Sequence, residues 1–150
     1  MATLRTIGYE GTTLPAFLAA LKRAGVTTLI DVRDAPVSRK KGFSKNDLAA
    51  ALQTADIAYV HLRWLGNPKP GRDAGRAGDI AAYHRYFFAR LATPEAQAAL
   101  GEAAQFAAAG GACLMCFERD PEHCHRTLVA RALGDRMAVM IEDLAPDAAR

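Results

Sequence analysis

Within Cys116-Phe117-Glu118-Arg119-Asp120-Pro121-Glu122-His123-Cys124-His125-Arg126 the chain concentrates thiols, carboxylates, imidazoles and guanidinium groups. If Cys124 opens a helix, unpaired backbone amides and the neighbouring Arg126 favour its thiolate, the state that a nucleophile or a metal ligand needs. Glu118, Asp120 and Glu122 oppose that shift, and the alternative is a buried thiol packed behind the loop. His125 is either a general acid or base near neutral pH or a residue that fixes the loop through hydrogen bonds. Arg126, with Arg33 and Arg39, makes a candidate guanidinium cluster for gripping phosphate or carboxylate bidentately. The competing arrangement pairs Arg33 with Asp31 and Arg126 with Glu118 internally.

Other polar clusters follow short apolar runs: Gly8-Tyr9-Glu10-Gly11, then Asp31-Val32-Arg33 with Pro36, Ser38, Arg39, Lys40 and Lys41, then His61, Arg63, Trp64 and Gly66. Solvated turns need Gly, Asn or Ser, whereas these carry Tyr, Trp, His, Cys and Arg, residue types suited to binding. Arg39-Lys40-Lys41-Gly42-Phe43-Ser44-Lys45 is a basic run broken by one aromatic; it is either a solvated loop or a surface for phosphates and a stacked base. Cys113 and Cys116 have the spacing of a zinc knuckle, but within an apolar strand residues three apart point to opposite faces, so no metal site is expected from them.

The elements that position these clusters read as alternating strands and helices. Apolar runs at Leu4–Gly8, Val26–Val32, Ile57–Leu62, Ala112–Phe117 and Met137–Ile141 predict five strands. Helical spacing predicts helices after Thr13, Ser44, Asp79 and Thr93-Pro94, and a last one over His125–Leu133. Gly66 to Gly78 is poor in apolar residues and reads as a mobile loop, and the acidic segment 142–150 as frayed surface around a core spanning about 3–141. Near-continuous apolar strands alternating with helices predict one α/β domain over 1–150. Its architecture is three-layered and Rossmann-like, with about five mostly parallel strands and helices on both faces. In such a sheet the polar clusters converge at the carboxyl edge, where ligands bind.

Composition narrows the function. The chain has 150 residues, 51% of them apolar, enough for one sizeable core, and its net charge of +3 is too small to mark a general nucleic-acid binder. No apolar run reaches membrane-spanning length and the amino terminus lacks a secretory pattern. Three cysteines, an odd number, predict free thiols and a cytoplasmic protein without a disulfide framework.

Thr6-Ile7-Gly8-Tyr9-Glu10-Gly11, Asp31-Val32-Arg33 with Pro36, Ser38 and Arg39, Gly42-Phe43-Ser44, Leu65-Gly66 and Cys116-x-Glu118 leading to Cys124-His125-Arg126 together resemble the family called domain of unknown function 488, bacterial α/β proteins with a Cys-His-Arg motif. The likeness runs from Thr6 to about Leu133. It implies an α/β fold and marks Tyr9, Glu10, Asp31, Arg33, Ser38, Arg39, Glu118, Cys124, His125 and Arg126 as signature positions, without supplying an activity.

The expected function is that of an enzyme, a hydrolase or transferase, acting on a small phosphorylated or nucleotide-like substrate. Tyr9, Arg33, Ser38, Arg39 and Arg126 would bind the anion, with Glu10, Asp31, Glu118, Cys124 and His125 as catalytic groups. No GxGxxG or Walker-type loop is present to hold a dinucleotide or drive a conventional ATPase. Two rivals stand beside it: a non-catalytic nucleotide or nucleic-acid binding module, and a thiol redox or metal-responsive protein using Cys116 and Cys124. Cofactor and oligomeric state stay open, and no membrane partner is expected.

Overall fold

The computed structural model describes residues 1–148. Short aliphatic and β-branched runs form five strands: β1 (Ala2–Gly8), β2 (Thr28–Asp31), β3 (Ala58–His61), β4 (Ala112–Cys116) and β5 (Val139–Asp143). They make one sheet in the order β3-β2-β4-β1-β5, with every pair parallel. Six helices accompany them: α1 (Leu14–Arg23), α2 (Lys45–Thr54), α3 (Lys69–Arg76), α4 (Ile80–Leu91), α5 (Pro94–Ala109) and α6 (His125–Gly134).

Period-two alternation divides the core between the two faces of the sheet. Cys113 and Met115 of β4 pack with Phe17, Leu21, Leu48 and Leu52 from α1 and α2. Leu114 and Cys116 pack on the opposite side with Leu100, Ala103, Val129 and Leu133 from α5 and α6. Strands covered on both faces give the three-layered α/β domain that the apolar runs predict. Thr13, Asp79 and Thr93 cap α1, α4 and α5 by accepting from Ala16, Ala82 and Ala96 amides, each satisfying an otherwise orphaned donor. Ser44 precedes α2 without capping it; its hydroxyl instead ties the preceding loop, accepting from Ser38 N and donating to Ser38 O.

Two segments differ from the sequence reading. Residues 66–78, expected to be a mobile loop, contain helix α3. Its apolar deficit is offset by ion pairs that no local hydrophobic pattern reveals. Lys69 and Arg76 pair with Asp73 at 2.9 and 3.0 Å, and Arg72 reaches Asp34, beyond β2, at 2.6 Å. The segment from 142 is also ordered through residue 148: β5 continues to Asp143, Leu144 N donates to Thr6 O, and Thr12 bridges to Ala148. Residues 149–150 of the expected tail lie outside the described residues.

Asp34 is the joint between the loop after β2 and the α3–α4 pair, accepting from Arg72 at 2.6 Å and from Arg90 at 2.5 Å. Burial works to raise its carboxyl, but the hydrogen bonds from Arg90 and Arg72 outweigh burial and hold it below the ordinary range. Because the folded value lies below the unfolded 3.8, the stabilisation is fully present above pH 3.8 and is lost as pH falls through the folded value. Asp34→Asn is therefore expected to cost about 1–3 kcal/mol at neutral pH. Urea unfolding of both proteins should show that difference shrinking in acid; a difference independent of pH would contradict this role.

Candidate functional site

The chain reverses its direction of travel across the sheet at β1 and β4. From β1 it moves outward through α1 to β2 and through α2 to β3, returns through α3, α4 and α5 to β4, then passes by α6 to β5 on the other edge. Loops leaving neighbouring strands in opposite directions open the crevice where ligands of such sheets bind. Here the two loops touch: Tyr9 N donates to Cys116 O and Glu10 N to Phe117 O, and a Cβ on Gly8 would lie 1.8 Å from the Glu118 carbonyl oxygen. Only glycine at position 8 admits the strand-to-loop contact that sets Glu118 in place.

The expected site residues fall into separate groups. Asp31 is wholly buried, and its carboxylate receives Arg33 Nε at 2.9 Å, Arg33 Nη2 at 2.7 Å and the Tyr59 hydroxyl at 2.5 Å. Arg33 also donates to the Tyr9 hydroxyl at 3.2 Å and to Phe43 O at 2.8 Å, while Tyr9 stacks on Phe43 with centroids 4.6 Å apart. Burial alone would lower the Arg33 guanidinium, but the Asp31 contact overrides it and pushes its pKa up. Burial, with Asp31 beside it, pushes the Tyr59 hydroxyl up. This group is an internal lock; its arginine faces a carboxylate of the chain itself. Ser38 accepts from Lys40 N on the following loop, and Arg39 is exposed there. Glu10 is exposed and accepts from Arg119 N at 3.1 Å, joining the loops after β1 and β4.

The second group gathers Glu118, Cys124, His125 and Arg126, together with Cys116, at the end of β4 and the start of α6. Free thiols are expected from the odd cysteine count; instead Cys116 and Cys124 are joined as a disulfide, with Cα atoms 7.2 Å apart, leaving Cys113 free and buried. The turn through Asp120 and Pro121 folds the eight-residue separation back so that the strand end meets the helix start. Cys124 occupies the N-cap of α6, as its place before an apolar helix predicts, and its sulfur accepts from Arg126 N at 3.4 Å. A nucleophilic Cys124 therefore exists only once that bond is opened.

Arg126 is fully buried, and its guanidinium is committed to the chain. Nη1 donates to Cys116 Sγ at 3.1 Å and to Glu118 O, Nη2 to Arg119 O at 3.3 Å, and Nε to Thr6 Oγ1 at 3.1 Å. Thr6 in turn donates to Asp143. The Glu118 contact is to its backbone, so the expected internal ion pair with that side chain is replaced by carbonyl and sulfur acceptors. Burial lowers the Arg126 pKa, although guanidinium stays charged at any ordinary pH. Two of the three arginines expected to grip a phosphorylated ligand thus face inward.

His125 places Nε2 2.7 Å from Val32 O. A carbonyl only accepts, so Nε2 carries the proton and a neutral ring keeps its lone pair on Nδ1, 3.9 Å from Cys124 Sγ. Burial pushes the His125 pKa down, against that carbonyl bond, and favours this neutral form. Glu118 Oε2 lies 3.5 Å from Cys116 Sγ, and burial pushes its carboxyl up. Among the described residues, ligand atoms of Cys116, Glu118 and Cys124 lie within 4.8 Å of one another, a grouping suited to a cation once the sulfurs are free. Cys113 is on the opposite face of β4 from Cys116, so the knuckle spacing does not converge.

Sequence reasoning leaves out Tyr83 and Asn67, and places Thr6 only within a motif. The buried Tyr83 hydroxyl has no hydrogen-bond partner among the described residues and is pushed up to about 12 by burial and by the charge of Glu118. Asn67 Nδ2 donates to Tyr83 O at 3.2 Å. Tyr83 reads in sequence as one of the apolar positions of α4, and nothing local marks its hydroxyl as facing Glu118.

Among the described residues, no helix is long and apolar enough to cross a membrane. No curated protein and no solved structure matches the chain. One family does, over residues 13–133, a range that runs from the start of α1 to the penultimate residue of α6 and includes Cys116, Glu118, Cys124, His125 and Arg126: the chain belongs to the family described as Domain of unknown function DUF488.

Proposed function

We propose that the protein is a thiol–disulfide redox protein in which Cys116 and Cys124 interconvert between disulfide and dithiol. The observation that carries this reading is that Arg126 donates to both sulfurs, through its side chain to Cys116 and through its backbone amide to Cys124. Negative charge appearing on either sulfur when the bond opens meets a donor already in position. Reduction by an external dithiol begins with its thiolate attacking the sulfur of Cys124, the residue at the N-cap of α6 and the less buried of the two, 4% exposed against 1% for Cys116. A mixed disulfide forms, the Cys116–Cys124 bond breaks, and the electron pair leaves on Cys116, where Arg126 holds it. The reductant's second thiolate then attacks its own sulfur in the mixed disulfide. It leaves as a cyclic disulfide and releases Cys124, so two electrons pass to the protein. In the oxidising direction the free Nδ1 of His125 accepts the Cys124 proton.

This reading replaces the phosphorylated-substrate enzyme as the favoured one, because Arg33 and Arg126 are occupied internally. Its partners are a dithiol reductant and a disulfide oxidant. A cytoplasmic location, where disulfides are transient and functional, belongs to the same proposal.

The test is to equilibrate the folded protein in dithiol–disulfide buffers of graded potential and count alkylated thiols by mass. The expected result is a reversible two-electron transition exposing Cys116 and Cys124. Cys113, whose thiol burial pushes up, should be labelled only after denaturation. A disulfide that stays closed until the protein unfolds would exclude the proposal.

A further inference from the structure

We infer that the reduced protein binds a soft divalent cation of the zinc class through Cys116, Cys124 and Glu118, so that thiol oxidation and metal binding exclude each other at one site. The inference rests on the redox reading in one respect: the disulfide must open in the folded protein.

Three observations on the same few atoms lead there. The two sulfurs and a Glu118 carboxylate oxygen lie within 4.8 Å of one another, a spread that one cation can bridge by small side-chain rotations. The Cα atoms of the two cysteines are 7.2 Å apart. Tetrahedral bonds of ~2.3 Å to zinc place two thiolates roughly 3.8 Å from each other, a spacing that side chains on these backbones reach by turning apart. The charges also balance. Two thiolates and one carboxylate bring three negative charges into a site whose bonded cationic side chain is Arg126, and a divalent cation makes the sum neutral.

The surroundings resemble a metal centre's outer layer in two details. Arg126 donates to Cys116 Sγ from behind, as second-layer donors do for ligating thiolates. His125 anchors Nε2–H on the Val32 carbonyl and leaves Nδ1 free beside Cys124, the orientation found in ligating histidines. Electrons and protons balance simply. A phosphine reductant takes the oxygen of water, becomes a phosphine oxide and converts the disulfide to two thiols; the cation then displaces two thiol protons.

The experiment uses the full chain, reduced with a water-soluble phosphine, freed of reductant under argon and titrated with Co²⁺ as a spectroscopic stand-in, then with Zn²⁺ against a chromogenic chelator. The expected result is one equivalent of Co²⁺ with a thiolate-to-cobalt charge-transfer band and tetrahedral visible bands, displaced by Zn²⁺, and no such bands from the oxidised protein. Cys124→Ser should abolish the charge-transfer intensity assigned to two thiolates. Glu118→Gln should weaken Zn²⁺ binding by roughly tenfold or more, while its buried Cys113 still resists alkylation until denaturation, showing that the variant is folded. If the phosphine opens the disulfide in the folded chain and no stoichiometric cobalt spectrum follows, the metal inference fails and the redox reading stands. If the disulfide does not open before unfolding, both fail. Binding unchanged in Cys124→Ser places the cation elsewhere and overturns this site.

Discussion

Asp31→Ala is expected to lower the unfolding free energy by about 3–5 kcal/mol, because it leaves the Arg33 guanidinium buried opposite an empty space. The carboxylate receives two nitrogens of the Arg33 side chain, the Arg33 backbone amide at 3.0 Å and the Tyr59 hydroxyl, so one truncation leaves several buried donors without an acceptor. Arg33 cannot escape to water easily: Nη1 is fixed by Tyr9 and by Phe43 O, and Phe43 itself is buried between Tyr9 and Phe17. Replacing both partners, as in Asp31→Leu with Arg33→Met, should recover most of the loss, since an apolar pair needs no acceptor. Chemical denaturation of the three variants decides the matter. A loss below about 1 kcal/mol for Asp31→Ala would mean that the pair behaves like a solvated ion pair, and Arg33 would again be a candidate for ligand binding.

The same pair shows where sequence reading stops. Strands and helices are legible because their signals are local: Leu29 and Ile30 in an apolar run, Thr13, Asp79 and Thr93 ahead of helical spacing, Gly110 and Gly111 after α5. Parallel pairing follows from alternation, and convergence of the polar clusters at one edge follows from parallel pairing. What each cluster does depends on which partner its charges take, and local pattern leaves that choice open: the Arg33–Asp31 pair is one of two arrangements that the sequence offers. Arg33 and Arg126 look alike as cations near turns, yet one is locked to Asp31 two residues away and the other reaches Thr6, 120 positions back. Helix α3 has too few apolar residues to announce itself: Arg72 ties it to Asp34 and to Asn67 O, and Gly71 and Gly75, which carry no side chain for a pattern to register, bring it close against Asn67 and Tyr83. Cys116 reads as the last core residue of β4, which it is; only the turn through Pro121 brings it to Cys124.

Cys116→Ser is expected to turn the transient intermediate of the redox reaction into a stable product. With the resolving sulfur gone, Cys124 retains its place at the N-cap of α6 and the Arg126 amide that stabilises charge on it. Incubated with a small monothiol disulfide, the variant should accumulate one mixed disulfide at Cys124 per chain, because no internal thiol remains in reach to expel it. Wild type under the same conditions should show almost none and return instead to its internal disulfide. The reciprocal variant, Cys124→Ser, keeps of the pair only the more deeply buried Cys116, the last residue of β4, and should form the adduct far more slowly. Intact-mass measurement over time reads all three proteins. Equal adduct rates in the two variants would remove the assigned order of attack, and no adduct in either would show that the sulfurs are not reachable in the folded protein. The distinction depends on position alone, since both substitutions leave one sulfur of the pair, one new hydroxyl and an otherwise unaltered chain, so the asymmetry tests whether the fold has assigned the two cysteines different roles.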